Sequence, residues 1–225
     1  MSTLRTAWLI AKKDLRIESR SGEIVVTTGF FGVLVAVLTS LSFYIDDTTA
    51  RMMAPGVLWL SLAFAGVLAM GRSWAREREE NVMRGLLLAP ASRAGLYLGK
   101  AIGAFFFLLV VEVLLLPVVA LLFHLDLIPV LGRVIALLLL GTVAFVAAGT
   151  LFAAMSVRTR ARELMLSVVL FPLVAPALLA GVVATRDVLG GAPLTDTLQW
   201  MRILGAFDLT FVGAGLALFD SLLSE

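Results

Sequence analysis

Six apolar stretches of this chain are about as long as a bilayer-crossing helix, and this feature constrains the fold most. A hydrocarbon core of about 30 Å needs about 20 consecutive apolar residues in an α-helix. With 60% hydrophobic and 15% charged residues among 225, the sequence predicts an all-α polytopic membrane protein with six transmembrane helices. Only short loops remain, so residues 1–225 are expected to form one transmembrane domain. The predicted spans cover about 24–45, 55–74, 96–123, 130–155, 164–184 and 203–219.

The positions of the basic residues predict the orientation of these spans. If the N-terminus is cytoplasmic, 14 of the 18 Lys and Arg residues lie in inside segments. Cytoplasmic loops of membrane proteins carry such an excess of Lys and Arg. We therefore expect both termini in the cytoplasm. The remaining four basic residues fall outside and are Arg51, Arg133, Arg186 and Arg202.

Residues 2–21 are predicted to form an amphipathic helix that does not span. Leu4, Trp8, Ala11 and Leu15 recur at helical spacing on one face, while most of the basic residues of this segment fall elsewhere. Such a helix is suited to the inner membrane interface, with its cations near anionic lipid. The alternative is a soluble helix docked on a partner protein.

A glycine repeat near the third span has a structural interpretation. The segment "GLYLGKA" at 95–101 is one residue short of a P-loop and lacks its hydroxyl, so the chain is predicted not to hydrolyse ATP. Gly95, Gly99 and Gly103 instead repeat every four residues. This small-residue pattern predicts that two membrane helices approach closely.

Two carboxyl groups and one histidine are candidate functional residues. Ionisable residues inside spans are costly to bury and often functional, so Glu112 and Asp208 could relay protons or contact substrate. The alternatives are a structural hydrogen bond for Glu112 and an interfacial position for Asp208. His124, beside Asp126, is a candidate haem-proximal residue or an ordinary interfacial histidine. With no cysteine and no cluster of ligands at metal spacing, neither a metal site nor an enzyme is predicted.

Several motifs resemble the CcmB family, the permease subunit of the ABC-type haem exporter of cytochrome c maturation. They are "APGVLWLSLAFAG" at 54–66, "REREENVMRGLLLAPASRAGLYLGK" at 76–100, "LVVEVLLLPVVALLF" at 109–123 and "LFPLVAPALLAG" at 170–181. The basic N-terminal helix, the six spans and the chain length also fit. The resemblance implies an ABC-2-type permease in the bacterial inner membrane.

The resemblance also implies partners. On this resemblance, a separate CcmA-like subunit is expected to bind and hydrolyse ATP with Mg²⁺. A second copy of the permease, CcmC, CcmD and the haem chaperone CcmE are the other expected partners. The implied role is haem delivery by ATP-driven release of haem-loaded CcmE, with haem also a candidate cargo, and no nucleic-acid partner is expected. One alternative is an ABC-2-type permease that exports a lipid, drug or other small molecule. Another is a proton-coupled secondary transporter that uses Glu112 and Asp208.

The loop at about 75–95 is predicted to couple the permease to the ATPase. Its carboxylates are expected to begin a short helix, at the positive end of the dipole. Three leucines then form an apolar surface, and a proline ends the helix before a second N-cap at Ser92. This loop would fit a cleft of the ATPase subunit, or alternatively form a lipid-bound interfacial turn. The predicted coupling residues are Glu77, Glu79, Glu80, Arg84, Leu86, Leu87, Leu88, Pro90 and Arg93.

Overall fold

The computed structural model describes residues 2–42, 47–79, 92–155 and 162–224. No β-strand occurs in these four ranges, and six of their helices are long and apolar enough to cross a membrane. The predicted all-α fold, with six spans and one additional N-terminal helix, is confirmed. The helices are α1 (Thr3–Ser21), α2 (Glu23–Ser42), α3 (Asp47–Glu79), α4 (Arg93–Leu122), a short 3₁₀ helix (Ile128–Val130), α5 (Leu131–Met155), α6 (Arg162–Leu189) and α7 (Leu194–Ser224).

Helix α4 connects the N-terminal and C-terminal parts of the bundle. It packs against α1, α2, α3, α5 and α7. Its Tyr97 is fully buried, and the hydroxyl group lies 3.1 Å from the carbonyl oxygen of Ala147 on α5 and 3.3 Å from that of Phe211 on α7. The hydroxyl therefore has an acceptor on either neighbouring helix, as a buried polar group requires.

A second buried aromatic residue holds the middle of the bundle together. The indole of Trp59 on α3 lies against Gly141 of α5 and Gly181 of α6, and neither glycine has room for a Cβ. The indole Nε1 donates a hydrogen bond of 3.0 Å to the hydroxyl of Thr185. Close packing on glycine together with a satisfied N–H fixes α3 against α5 and α6.

The last span differs from its predicted extent. Helix α7 begins at Leu194, whereas the apolar run alone predicts a start near residue 203. Its first turns are polar, but they are held in place because the indole of Trp200 donates a hydrogen bond of 3.1 Å to Asp187 at the end of α6. The earlier start places Asp208 near the middle of the helix and away from its end.

The bundle has two ends, which we name by the elements found there. The proximal end contains α1, the end of α3 and the start of α4. The distal end contains the start of α3 and the turn between α6 and α7.

Candidate functional site

Helix α1 packs directly on the glycine stripe of α4. A Cβ at Gly95 would lie 2.7 Å from the carbonyl oxygen of Thr3, and one at Gly99 would lie 2.7 Å from the Cβ of Ile10. A close helix approach therefore occurs at these glycines, although their spacing predicts one between two membrane helices. Its partner is α1, which is not one of the spans.

A buried ion pair reinforces this contact. The Asp14 carboxylate on α1 lies 2.9 Å from the ammonium of Lys100 on α4, and both side chains are almost fully buried. The same ammonium lies 5.8 Å from the ring centre of Trp74 on α3, within cation–π range. Lys13 also contacts the Asp14 carboxylate, at 3.1 Å. Three helices of the proximal end therefore meet around Lys100.

Helix α1 is also fixed to the first span. It ends at Gly22, whose φ of 62° lies in the left-handed region that favours glycine. After this turn, the backbone N–H of Val25 donates a hydrogen bond of 2.9 Å to the Glu18 carboxylate. The carboxylate satisfies a first-turn N–H of α2, where the helix dipole favours a negative charge. Helices α1 and α2 are thus joined by a defined turn.

The predicted coupling loop connects two helices of this proximal end. Helix α3 ends at Glu79 and α4 begins at Arg93. The hydroxyl of Ser92 accepts a hydrogen bond of 3.2 Å from the N–H of Gly95, so the predicted N-cap is confirmed. The predicted coupling residues Glu80, Arg84, Leu86, Leu87, Leu88 and Pro90 lie outside the described residues.

The prediction that a new helix begins at Glu77 is wrong. Glu77 and Glu79 belong to the last turn of α3, which runs without interruption from Asp47. Arginine and glutamate are good helix formers, so the segment after Trp74 extends α3 beyond its apolar part. Both residues are consequently at the C-terminal end of α3 and not at the start of a new helix.

The two intramembrane carboxyl groups lie on different helices. Glu112 is buried in α4 and accepts a hydrogen bond from the hydroxyl of Thr142 on α5. Asp208 is buried in α7, and its Oδ1 has no hydrogen-bond partner in the described part of the chain. The Glu112 bond joins two neighbouring helices, which matches the structural alternative for this residue. A transport role for either group stays a prediction.

His124 ends a helix. It follows Phe123, the C-cap of α4, and has a φ of 50°. The N–H of Leu125 then bonds to the carbonyl oxygen of Ala120 at 2.9 Å, which closes the turn in the manner of a Schellman motif. Histidine tolerates this left-handed conformation better than most residues. No group of three or more potential metal ligands occurs among the described residues, and a haem-proximal role of His124 stays untested.

The sequence pattern left one important contact unrecognised. Asp14 lies between basic residues, and the more conspicuous apolar residues Leu4 and Trp8 are 78% and 60% exposed. The buried face of α1 is instead formed by Thr6, Ala7, Ile10, Ala11, Asp14 and Glu18. Its small and acidic residues at 7, 11, 14 and 18 recur at helical spacing, and this was the available signal.

Comparison with known proteins identifies the family. A family model described as "CcmB protein" matches residues 5–221. The chain belongs to the CcmB family. Among its relatives, "Heme exporter protein B" of Pseudomonas aeruginosa is 29% identical over 211 residues, 93% of each chain. The protein of that name from Paracoccus denitrificans is 32% identical over 197 residues, 88% of each chain.

A third relative agrees with this assignment. "Heme exporter protein B" of Bradyrhizobium diazoefficiens is 30% identical over 185 residues, covering 81% of this chain and 82% of the relative. The resemblance to the CcmB family seen in the sequence motifs is confirmed. The family match includes both α1 and α4, so the proximal contact lies within the CcmB region of the chain.

Proposed function

We propose that this chain is the membrane permease subunit of an ABC-type haem export complex in cytochrome c biogenesis. The observation that carries the proposal is the CcmB match over residues 5–221, together with relatives named as haem exporter proteins over most of their length. Six apolar helices are consistent with a permease. In this proposal the chain has no ATPase site of its own, and a separate CcmA-like subunit binds and hydrolyses ATP with Mg²⁺.

The proximal end is the proposed site of coupling. The loop at about 75–95 connects α3 to α4, and Lys100 contacts residues of both α1 and α3. A displacement of the loop would therefore move α3 and α4, and α1 would follow through the Asp14 ion pair. Helix α2 would follow in turn, because Glu18 bonds to the start of that helix. Nucleotide-driven closure of the ATPase could in this way change the arrangement of several spans.

The finer assignments follow from the family and from the charge pattern. Both termini are proposed to be cytoplasmic in the bacterial inner membrane, with a second permease copy in the complex. CcmC, CcmD and the haem chaperone CcmE are proposed partners, and ATP-driven release of haem-loaded CcmE is the proposed output. The names of the relatives favour haem over a lipid or drug as the molecule that the complex handles.

Charge reversal in the loop tests the coupling role. The chain is co-purified with candidate CcmA-like subunits, and ATPase activity is measured for the complex and for each part. Glu79→Lys with Glu80→Lys should weaken assembly and lower stimulated ATPase activity. Asp126→Lys with Asp196→Lys makes the same charge change at exposed distal positions and should leave both unchanged. Unchanged assembly and stimulation in the loop variant would show that the loop has no such role.

Two further measurements test the wider assignment. The isolated chain should not hydrolyse ATP, and robust activity from it would contradict the need for a separate ATPase. Deletion of the gene should abolish holocytochrome c formation, as measured by haem staining of membrane proteins. Normal cytochrome c in the deletion strain would instead favour an exporter of another small molecule.

A further inference from the structure

A cavity of about 910 Å³ opens at the distal end of the bundle. It lies between the start of α3 and the end of α6 with the turn that follows, at residues 190–192. Small-molecule sites in proteins usually enclose about 300 to 1,000 Å³. The cavity, which we call the distal cavity, is therefore large enough for a small molecule or a lipid headgroup. It is at the opposite end from the coupling loop.

Basic residues are concentrated at this cavity, although the distal side carries few of them. Of the four basic residues assigned to that side by the charge pattern, Arg51 and Arg186 line the cavity. A third, Arg133, donates a hydrogen bond of 2.8 Å to the carbonyl oxygen of Ala192, which is also a lining residue. Three of the four thus meet at one place.

The two lining guanidinium groups are available to a ligand. Both arginines are exposed, and neither has an ion pair in the described part of the chain. Asp187 also lines the cavity, where its carboxylate accepts the hydrogen bond of the Trp200 indole and keeps its charge, so the lining carries two cations against one anion. A guanidinium group binds phosphate or carboxylate oxygens through two parallel hydrogen bonds. The cavity therefore favours an anion.

Apolar side chains lie beside these cations. Met52, which is 64% exposed, and Leu189 both line the cavity. An exposed apolar surface in the same cavity as two cations suits a molecule with an anionic head and an apolar body. We propose that the distal cavity binds an amphiphilic anion, with its phosphate or carboxylate oxygens on Arg51 and Arg186 and its apolar part against Met52 and Leu189.

Two sources of this chemistry are distinguishable. One is the phosphate of an anionic phospholipid, and the other is a tetrapyrrole with free carboxylates such as haem. Only the tetrapyrrole source rests on the proposed function, since it would be the cargo of the complex. The test measures ligand binding at the distal end and needs no ATPase subunit. A negative result would therefore not contradict the proposed coupling role of the loop.

The experiment uses the full chain in lipid nanodiscs and in detergent. Hemin binding is followed by its absorbance, with hemin dimethyl ester as a probe that lacks free carboxylates. Phosphatidylglycerol binding is followed by native mass spectrometry. Arg51→Gln with Arg186→Gln should weaken at least one of the two anions about tenfold or more, because hydrogen bonds to charged groups are lost. The ester should bind equally to both proteins.

A matched control removes the same charge elsewhere. Arg20→Gln with Arg202→Gln alters two exposed arginines that do not line the cavity, and it should bind both probes as the unaltered chain does. Arg51→Lys with Arg186→Lys keeps the charge but not the paired hydrogen bonds, and should give intermediate affinity. The melting temperature of each variant verifies folding.

Each outcome of these binding measurements identifies a ligand class or contradicts the proposal. Weaker hemin binding alone identifies a carboxylate ligand, and weaker phosphatidylglycerol binding alone identifies a phosphate ligand. If both weaken, the site accepts either. If the double glutamine variant binds hemin and phosphatidylglycerol as tightly as the control variant, the proposal is overturned.

Discussion

The carboxylate of Asp14 and the ammonium of Lys100 lie 2.9 Å apart at a place where both side chains are almost fully buried. One group belongs to the N-terminal helix and the other to the span that follows the predicted coupling loop. Burial of an unpaired charge is costly, so each group stabilises the other in this buried position. The N-terminal helix is thereby an integral part of the bundle and not merely attached to its surface.

Removal of one partner of this pair should destabilise the protein strongly. Lys100→Met leaves the Asp14 carboxylate buried without its main counter-ion, and such a change typically costs about 3–5 kcal/mol. We expect a clear fall in the melting temperature of the purified chain. The double variant Asp14→Leu with Lys100→Met should recover most of the loss, because no buried charge remains. Lys12→Met, at an exposed position of α1, is the control and should have little effect.

A methyl group on the glycine stripe should displace α1. In Gly99→Ala the new Cβ would lie 2.7 Å from the Cβ of Ile10 and 2.8 Å from the carbonyl oxygen of Ala7. Backbone cannot yield as a flexible side chain can, and such overpacking costs about 1–3 kcal/mol. The melting temperature should fall and protease cleavage within α1 should accelerate. Gly213→Ala, which meets no atom within 4 Å, should show neither effect.

The sequence predicts those features of this fold that depend on local physical requirements, and not those that depend on distant contacts. Six spans are predictable because the hydrocarbon core requires long apolar helices. The spacing of Gly95 and Gly99 likewise predicts a close approach. A single sequence does not say which helix approaches, however, because α1 is remote in the chain. Helix α7 starts before its predicted span, because its polar first turns are stabilised by the contact between Trp200 and Asp187.

The candidate site was predicted less well than the fold. The sequence indicates His124 as a lone histidine, but it does not indicate that this residue ends α4 in a left-handed conformation. The sequence does not indicate that Asp14 is buried, since the neighbouring lysines are typical of a solvated charged face. Burial and long-range pairing decide the roles of such residues, and both depend on tertiary contacts that composition and periodicity do not contain.

The hydrogen bond between Glu112 and Thr142 separates two mechanisms of transport. In Glu112→Gln the side-chain oxygen can still accept the bond from the hydroxyl, but the residue can no longer release a proton. If the chain is an ABC permease, stimulated ATPase activity should stay close to that of the unaltered complex. A proton-coupled transporter would lose its activity entirely. Thr142→Val is the control variant, because it removes the hydrogen bond but keeps the Glu112 carboxyl group. It should lower the melting temperature of the chain without abolishing a proton-coupled activity.

The orientation of the bundle can be determined with single cysteines, since the natural chain has none. Ser19 on α1 and Thr195 on α7 are both exposed, and cysteine resembles each of them in size. In right-side-out membrane vesicles, a membrane-impermeant maleimide should label Thr195→Cys at once. Ser19→Cys should react only after permeabilisation, because the charge distribution places α1 on the cytoplasmic side. The unaltered chain should remain unlabelled throughout. Immediate labelling of Ser19→Cys would place α1 outside the cytoplasm, and the proposed coupling site would then be out of reach of a cytoplasmic ATPase.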